Sequence, residues 1–165
     1  MHPTAGSPWH SDEPVTPIIC AETEKACALL LEFMSTMKNW ENKFVELHKH
    51  NSTDSSVLCS QAGVELQAIY AKYLTKRDRK LGRIVDGTAS FGWPPEFDPE
   101  AETIVATQSV NKRKAIIETL WTHPTIVPSY SVKHLFTLIC KHDEWRLDTK
   151  RAYHQAKGKW VTQVL

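Results

Sequence analysis

Apolar residues in the first half of the chain recur at the spacing of helices. Between residues 23 and 50 they fall at steps of three and four, which predicts one long amphipathic helix. Its predicted apolar face consists of Leu30, Phe33, Met34, Met37, Trp40, Phe44 and Leu47. Residues 52–56 are rich in capping side chains, so a second helix is expected after them, with an apolar stripe between Leu58 and Tyr73.

The second half of the chain has the pattern of β-strands. Runs that are β-branched, or that alternate between apolar and polar residues, predict strands at residues 103–107, 115–121, 130–140 and 145–150. Loops or turns are predicted at residues 86–92, 111–113 and 141–144, and residues 158–165 are expected to form a tail whose Trp160 packs back. Two helices followed by antiparallel strands predict an α+β domain, with a curved sheet wrapped on the long helix.

A proline-rich stretch at residues 93–100, which we call the elbow, separates the two halves. Proline lacks a backbone N–H and has a fixed φ, so Pro94, Pro95 and Pro99 exclude both a helix interior and a central strand. The elbow and the residues just after it are also acidic, with no lysine or arginine among Glu96, Asp98, Glu100 and Glu102. Such a stiff, charged loop is either a structural corner or a presented recognition surface.

Length and composition agree with one folded domain. The chain has 165 residues, of which 41% are hydrophobic and 24% are charged. Residues 1–17 contain four prolines, so we expect a flexible N-terminal arm, followed by a single domain at residues 18–165. The formal net charge of +1 gives no argument for binding to nucleic acid or to a membrane.

Cysteine usage and the absence of targeting patterns favour the cytoplasm. No two of Cys20, Cys27, Cys59 and Cys140 have the spacing of a zinc or redox motif, and all lie in apolar or helical contexts. Buried free thiols are therefore expected, which suggests a reducing compartment. The sequence shows neither a run of about 18 apolar residues nor a secretory signal, so we expect a cytoplasmic location.

Candidate chemistry is sparse. The sequence has no phosphate-binding glycine loop, no nucleophile motif and no metal-ligand motif, so we predict no catalytic residues, no metal and no cofactor. His134 and Asp148 could approach each other across neighbouring strands and act in acid–base chemistry. The favoured role for Asp148 is a surface salt bridge with the neighbouring Arg146 or Lys150.

A basic run follows the second predicted helix. It includes only one acidic residue, Asp78, among the cations Lys72, Lys76, Arg77, Arg79, Lys80 and Arg83. This run is either a patch for phosphate or an acidic partner, or a solvated helix end whose cations complement the helix dipole.

Several segments of the second half occur together in a familiar order. They are the elbow at residues 94–100, the strands at 114–119 and 144–150, the segment 73–82 and the pair Lys159-Trp160. This order resembles the bacterial immunity proteins of the nuclear-transport-factor-2-like fold, in which an acidic proline-rich elbow precedes the sheet. A Trp-Arg-hydrophobic-Asp strand comes late in that family. The resemblance covers roughly residues 62–165, so the first helix and the arm are expected to be particular to this protein.

The resemblance implies a cone-shaped α+β fold, in which helices pack in a strongly curved antiparallel sheet. It also implies a protein without catalytic turnover, encoded beside a polymorphic toxin, that binds the cognate toxin domain and blocks it in the producing cell. A stiff acidic loop suits the basic cleft of a toxin that acts on nucleic acid. The predicted toxin-binding residues are therefore Glu96, Asp98, Glu100 and Glu102, and the basic run at residues 72–83 is the rival surface.

Other functions use the same fold. Relatives with this cone include isomerases and dehydratases, so an enzyme or small-molecule-binding protein is the alternative, with His134 and Tyr130 as inward residues. A transport or scaffold module is a third possibility. An open polar interior favours the enzyme, whereas a cone plugged by Trp, Phe and Leu favours a binding protein. The outer face of such a sheet could also pair two copies into a homodimer.

Overall fold

The computed structural model describes residue 18 and residues 20–50, 54–79, 82–126 and 130–165. The predicted arm at residues 1–17 lies outside the described residues, as does Lys80 of the basic run. The assignment of residues 18–165 to a single domain stays a prediction.

Two helices form the N-terminal part of the fold, as the apolar spacing predicted. A short 3-10 turn at Ala21–Thr23 leads into helix α1, Glu24–His50. Helix α2 spans Ser55–Tyr73, and the Asp54 carboxylate caps it by accepting a 2.9 Å hydrogen bond from the Ser56 N–H. Along the described part of the chain, neither helix has the length and apolar character that crossing a membrane requires.

The strands form a small hairpin and a larger antiparallel sheet. The hairpin consists of β1, Ile84–Val85, and β2, Thr88–Ala89. The sheet contains β3 (Glu102–Asn111), β4 (Lys114–Thr122), β5 (Ser131–Lys141), β6 (Glu144–His154) and β7 (Lys159–Gln163), in that spatial order. The predicted α+β class is confirmed. Register shifts in the β3–β4 and β5–β6 pairs introduce bulges, which bend and twist the sheet.

The β1–β2 hairpin lies where the sequence predicted only a loop. Its turn residues are Asp86, with a φ of 50°, and Gly87, with a φ of 76°. Two-residue hairpin turns need positive φ at both positions, and Asp-Gly is a favoured pair for them. The turn between β5 and β6 uses the same geometry without glycine, since His142 and Asp143 have φ values of 52° and 61°.

The predicted C-terminal tail is the fifth strand of the sheet. Strand β7 pairs with β6, where Trp160 lies opposite Tyr153. Their ring centroids are 5.4 Å apart, so the prediction that Trp160 packs back is confirmed.

The two helices and the elbow bury their apolar side chains against one face of the sheet. The largest fully buried side chains include Phe33, Phe44, Phe97, Phe136, Leu138 and Leu147. Phe33 of α1 lies at the centre, with ring centroids 5.1 Å from Phe97 and 5.7 Å from Tyr73. The interior is thus plugged by aromatic and aliphatic groups, the arrangement expected of a binding protein.

Helix α2 meets the β1–β2 hairpin at Gly63, which is buried. A Cβ atom at this position would lie 2.8 Å from the carbonyl carbon of Gly87, closer still to its oxygen, and 3.1 Å from Cα of Thr88. The helix can approach the turn this closely because residue 63 has no side chain.

The four cysteines are all unpaired. Cys27 is buried, and burial raises the pKa of its thiol although the Thr23 hydroxyl acts in the opposite direction. Cys20, Cys59 and Cys140 are half-buried, so the prediction of buried free thiols is confirmed in full only for Cys27.

Candidate functional site

Two aromatic rings, one half-buried and one fully buried, hold the elbow against α1. Phe91, just before the elbow, packs on Phe44 with ring centroids 5.6 Å apart. Phe97, inside the elbow, is completely buried and packs on Phe33. The elbow between these anchors contains a cis peptide bond before Pro94. It is therefore a braced segment that runs along the helix.

Trp93 projects from this braced segment. Its exposed fraction is 69%, whereas the neighbouring Pro95 and Phe97 are buried. Trp93 was not among the binding residues predicted from the sequence. Its position between Gly92 and Pro94 was the available signal, because segments that form neither helix nor strand run over the protein surface.

Three of the four predicted carboxylates lie on the elbow, and each has a cationic partner. Lys38 of α1 lies 2.9 Å from Asp98 and 2.6 Å from Glu100. Lys150 lies 3.1 Å from Glu96. The three elbow carboxylates differ in side-chain exposure, which is 83% for Glu100, 40% for Glu96 and 16% for Asp98.

The prediction that Glu102 belongs to this surface is wrong, because its side chain is fully buried. Its Oε1 atom lies 2.6 Å from Nδ1 of His134 and accepts a 2.5 Å hydrogen bond from the Thr119 hydroxyl. Glu102 begins β3, and its side chain lies on the sheet face against Thr119 of β4 and His134 of β5, where it is removed from solvent. Its Oε2 atom is buried without a hydrogen-bond partner among the described residues.

A buried ionic network connects the elbow to the helices. Glu41 of α1 accepts a 2.8 Å hydrogen bond from the Glu96 backbone N–H and forms a salt bridge with Arg83. Burial raises the pKa of Glu41, although the positive charge of Arg83 opposes the shift. Arg83 also lies 4.0 Å from the Glu96 carboxylate. The elbow is thus fixed by charge as well as by packing.

Tyr70 of α2 lies beside this network. Its hydroxyl donates a hydrogen bond to the Leu165 carbonyl oxygen. Burial raises the pKa of Tyr70 to about 12, with smaller effects from Arg83 and Glu96. The phenol therefore stays neutral at physiological pH and acts as a hydrogen-bond donor.

The basic run does not form one continuous patch. Lys72 pairs with Glu32 at 2.8 Å, and Arg83 belongs to the buried network. The cations that lie close together on the surface are Lys76, Arg77 and Arg79. The rival binding surface is therefore smaller than the sequence suggested.

The residues considered for catalysis do not meet. His134 pairs with Glu102 and lies opposite Ala152, whereas Asp148 accepts a 2.6 Å hydrogen bond from the Thr75 hydroxyl. Asp148 also lies 3.5 Å from Arg77. The predicted salt bridge is therefore made with another partner, since Arg146 pairs with Glu144 and Lys150 pairs with Glu96. Tyr130, predicted to point inward, is 57% exposed, so that prediction is wrong.

The described residues offer surface grooves for binding. One groove of about 380 Å³ lies between α1 and α2 around Trp40 and Ile69, and another of about 310 Å³ lies at the C-terminal end of α2. Across the described ranges, no three histidine, cysteine or acidic side chains are grouped so that they could hold a metal ion.

Comparison with known proteins places the chain in a family. The family model described as "NTF2 fold immunity protein" matches residues 25–164. The chain is also similar to the immunity protein RhsIA of Dickeya dadantii (strain 3937), with 33% identity over 143 residues, which cover 85% of this chain and 96% of RhsIA. No solved structure matches the chain.

The family match corrects one expectation and supports the resemblance found in the sequence. Because the match begins at residue 25, it includes nearly all of α1, which is therefore not particular to this protein. The elbow and the sheet lie within the same match. The chain belongs to the NTF2 fold immunity proteins.

Proposed function

We propose that this protein binds a cognate toxin domain in the cytoplasm of the producing cell and blocks it sterically, without catalytic turnover. Family membership supports the general role. The observation that carries the mechanism is Trp93, a 69% exposed aromatic residue on an elbow that is anchored on both sides.

The elbow has the properties of a binding anchor. Its backbone is already held by the buried Phe97 and by the hydrogen bond from the Glu96 N–H to Glu41, so little conformational entropy is lost on binding. Exposed tryptophans in such settings often contribute most of the energy of an interface. Trp93 would enter an apolar pocket of the toxin.

The elbow carboxylates would increase the rate at which this protein associates with the toxin domain. Glu100 is the most exposed of them, and its partner Lys38 also serves Asp98. Surface pairs of this kind are weak, so a basic cleft of the toxin can replace Lys38 as the partner of Glu100 at small cost. Opposite charges near an interface accelerate association and make it dependent on salt.

The test is binding kinetics with the C-terminal domain of the toxin encoded beside the gene of this chain, measured at low and high salt. Trp93→Ala should weaken the affinity by roughly 30-fold or more, as expected for a residue that contributes about 2 kcal/mol or more to binding. Glu100→Lys should slow association several-fold and flatten its salt dependence.

Matched controls are Tyr130→Ala, which removes another exposed aromatic ring, and Glu144→Lys, which reverses another exposed carboxylate. Neither should change the affinity. If Trp93→Ala and Glu100→Lys both bind the toxin domain as tightly as the wild type does, the elbow is not the binding surface. Failure of the wild-type protein to bind or inhibit the toxin domain would overturn the proposed function itself.

Reversal of Glu96 or Asp98 is a less informative test. Glu96 pairs with the buried Lys150, and Asp98 is 16% exposed beside Lys38, so both reversals would disturb the fold as well as the surface. The homodimer stays a prediction, which size-exclusion chromatography of the free protein tests directly.

A further inference from the structure

A second charged surface lies beside the elbow, in the groove at the C-terminal end of α2. The groove has a volume of about 310 Å³, and its lining includes the apolar residues Ala71, Leu74 and Ile84. Its rim carries Lys76, Arg77 and Arg79. The combination suits a ligand that is both acidic and partly apolar.

Arg79 is held firmly in this rim. Its guanidinium donates a 2.7 Å hydrogen bond to the Thr75 carbonyl oxygen and a 3.1 Å hydrogen bond to the Thr75 hydroxyl. Longer bonds of 3.4–3.5 Å reach the carbonyl oxygens of Arg77, Leu147 and Asp148. Its buried Nε atom has no acceptor among the described residues.

The positive charge of the rim exceeds the negative charge that faces it. Asp148 is the carboxylate in contact, and it lies 3.5 Å from Arg77. Lys76 is exposed and forms no ion pair within the described ranges, while Asp78 lies outside the groove lining. Burial and the neighbouring Arg77 lower the pKa of Arg79, while the negative charge of Asp148 opposes the shift.

The groove and the elbow are adjacent because the same short segment serves both. Gly82 and Ile84 line the groove, whereas Arg83 between them binds Glu41 and approaches Glu96 of the elbow. A basic surface and an acidic surface therefore lie on either side of one buried network. A partner that covered both would need the complementary pattern of charges.

We infer that the basic groove docks an acidic, partly apolar segment of the toxin domain, while the elbow contacts a basic part of the same domain. This inference rests on the proposed function and deepens it by naming the chemistry of the partner surface. Two adjacent contacts of opposite charge specify the orientation of the partner, because a rotated or unrelated toxin would bring like charges together.

The experiment uses the full chain and the toxin domain encoded beside its gene, with the variants Lys76→Glu and Arg77→Ala. Each should slow association, and together they should weaken the affinity roughly tenfold while flattening its salt dependence. Because the groove and the elbow contact different parts of the toxin, the effect of Lys76→Glu should add to that of Glu100→Lys.

Lys112→Glu is the matched control, because Lys112 is also exposed and lies at the β3–β4 turn. The double variant Lys76→Glu/Arg77→Ala could bind the toxin domain as tightly as Lys112→Glu does, while Trp93→Ala still weakens binding. That result would overturn the groove as a docking surface and leave the proposed function intact. A titration with inorganic phosphate provides a second readout. Phosphate that binds the groove without competing with the toxin would identify a small-anion site and would also overturn the inference.

Discussion

The contact between α2 and the β1–β2 hairpin makes Gly63→Ala a demanding test of the fold. In an isolated helix this change would be favourable, since alanine is better than glycine by about 1 kcal/mol in a helix interior. Here the added Cβ would lie 2.8 Å from the carbonyl carbon of Gly87 and closer to its oxygen. The obstructing atoms belong to the backbone, so no side-chain rotation can relieve the contact.

The expected result is a net loss of stability. Inserting a methyl group into a tightly packed site costs typically about 1–3 kcal/mol, and more where the backbone must move. Because the atoms in the way belong to the backbone, we place the cost at the upper end of that range, about 3 kcal/mol, and subtracting the gain in helix propensity leaves a net loss of about 2 kcal/mol for Gly63→Ala. For a domain of this size each kcal/mol lowers the melting temperature by roughly 2–4 °C, so the fall should be roughly 4–8 °C.

Thermal and urea unfolding followed by circular dichroism measure this loss. Gly92→Ala is the matched control, because no atom lies within 4 Å of a Cβ at that position and its φ is not in the left-handed region. It should leave stability unchanged or raise it by up to about 1 kcal/mol through the unfolded state. A Gly63→Ala protein as stable as the wild type would refute the close approach of α2 to the hairpin.

Two further predictions concern the attachment of the elbow. Phe97→Ala removes a completely buried ring that packs on Phe33 and lies 4.4 Å from the Lys150 amine, so urea unfolding should show a loss of about 3–5 kcal/mol. Trp93→Ala should change stability by less than about 0.5 kcal/mol, and equal losses in the two variants would contradict the anchoring. Burial raises the pKa of Glu41 above the ordinary 4.5, so the folded state holds the proton more tightly than the unfolded chain does. The stabilising contribution of the protonated Glu41 carboxyl to the free energy of unfolding is therefore fully present below the pKa that Glu41 has in the unfolded chain. It is lost as the pH rises through the pKa of Glu41 in the folded state. The stability of the wild type relative to Glu41→Gln should fall as the pH rises above the ordinary 4.5 in urea unfolding, whereas a difference that rises with pH would show that the salt bridge with Arg83 outweighs burial.

Local patterns were sufficient to predict the main elements of the fold. The spacing of apolar residues in α1 follows directly from the helical repeat, and the strands from β3 to β6 have the β-branched composition of a sheet. The β1–β2 hairpin was predicted only as a loop, although Asp86-Gly87 is a favoured two-residue turn between Ile84-Val85 and Thr88-Ala89. These features depend on neighbours in the chain, so the sequence by itself determines them.

The composition of the candidate site depended on contacts between distant residues. Glu102 and Glu100 are similar in sequence context, yet one is buried beside His134 and the other is 83% exposed. The difference arises because Glu102 begins β3, where strand pairing places it inside, whereas Glu100 precedes the strand. Periodicity cannot predict which cation will pair with which carboxylate, since Lys150 is 54 residues from Glu96.

The basic run shows the same division between sequence and tertiary structure. The sequence determined that six cations follow one another closely, which made a single patch a reasonable prediction. The fold assigned Lys72 to Glu32 and Arg83 to Glu41, and left Lys76, Arg77 and Arg79 around a groove. Charge along a chain is a local property, but the counter-charges that cancel it are brought into place only when the helices, the elbow and the sheet pack together.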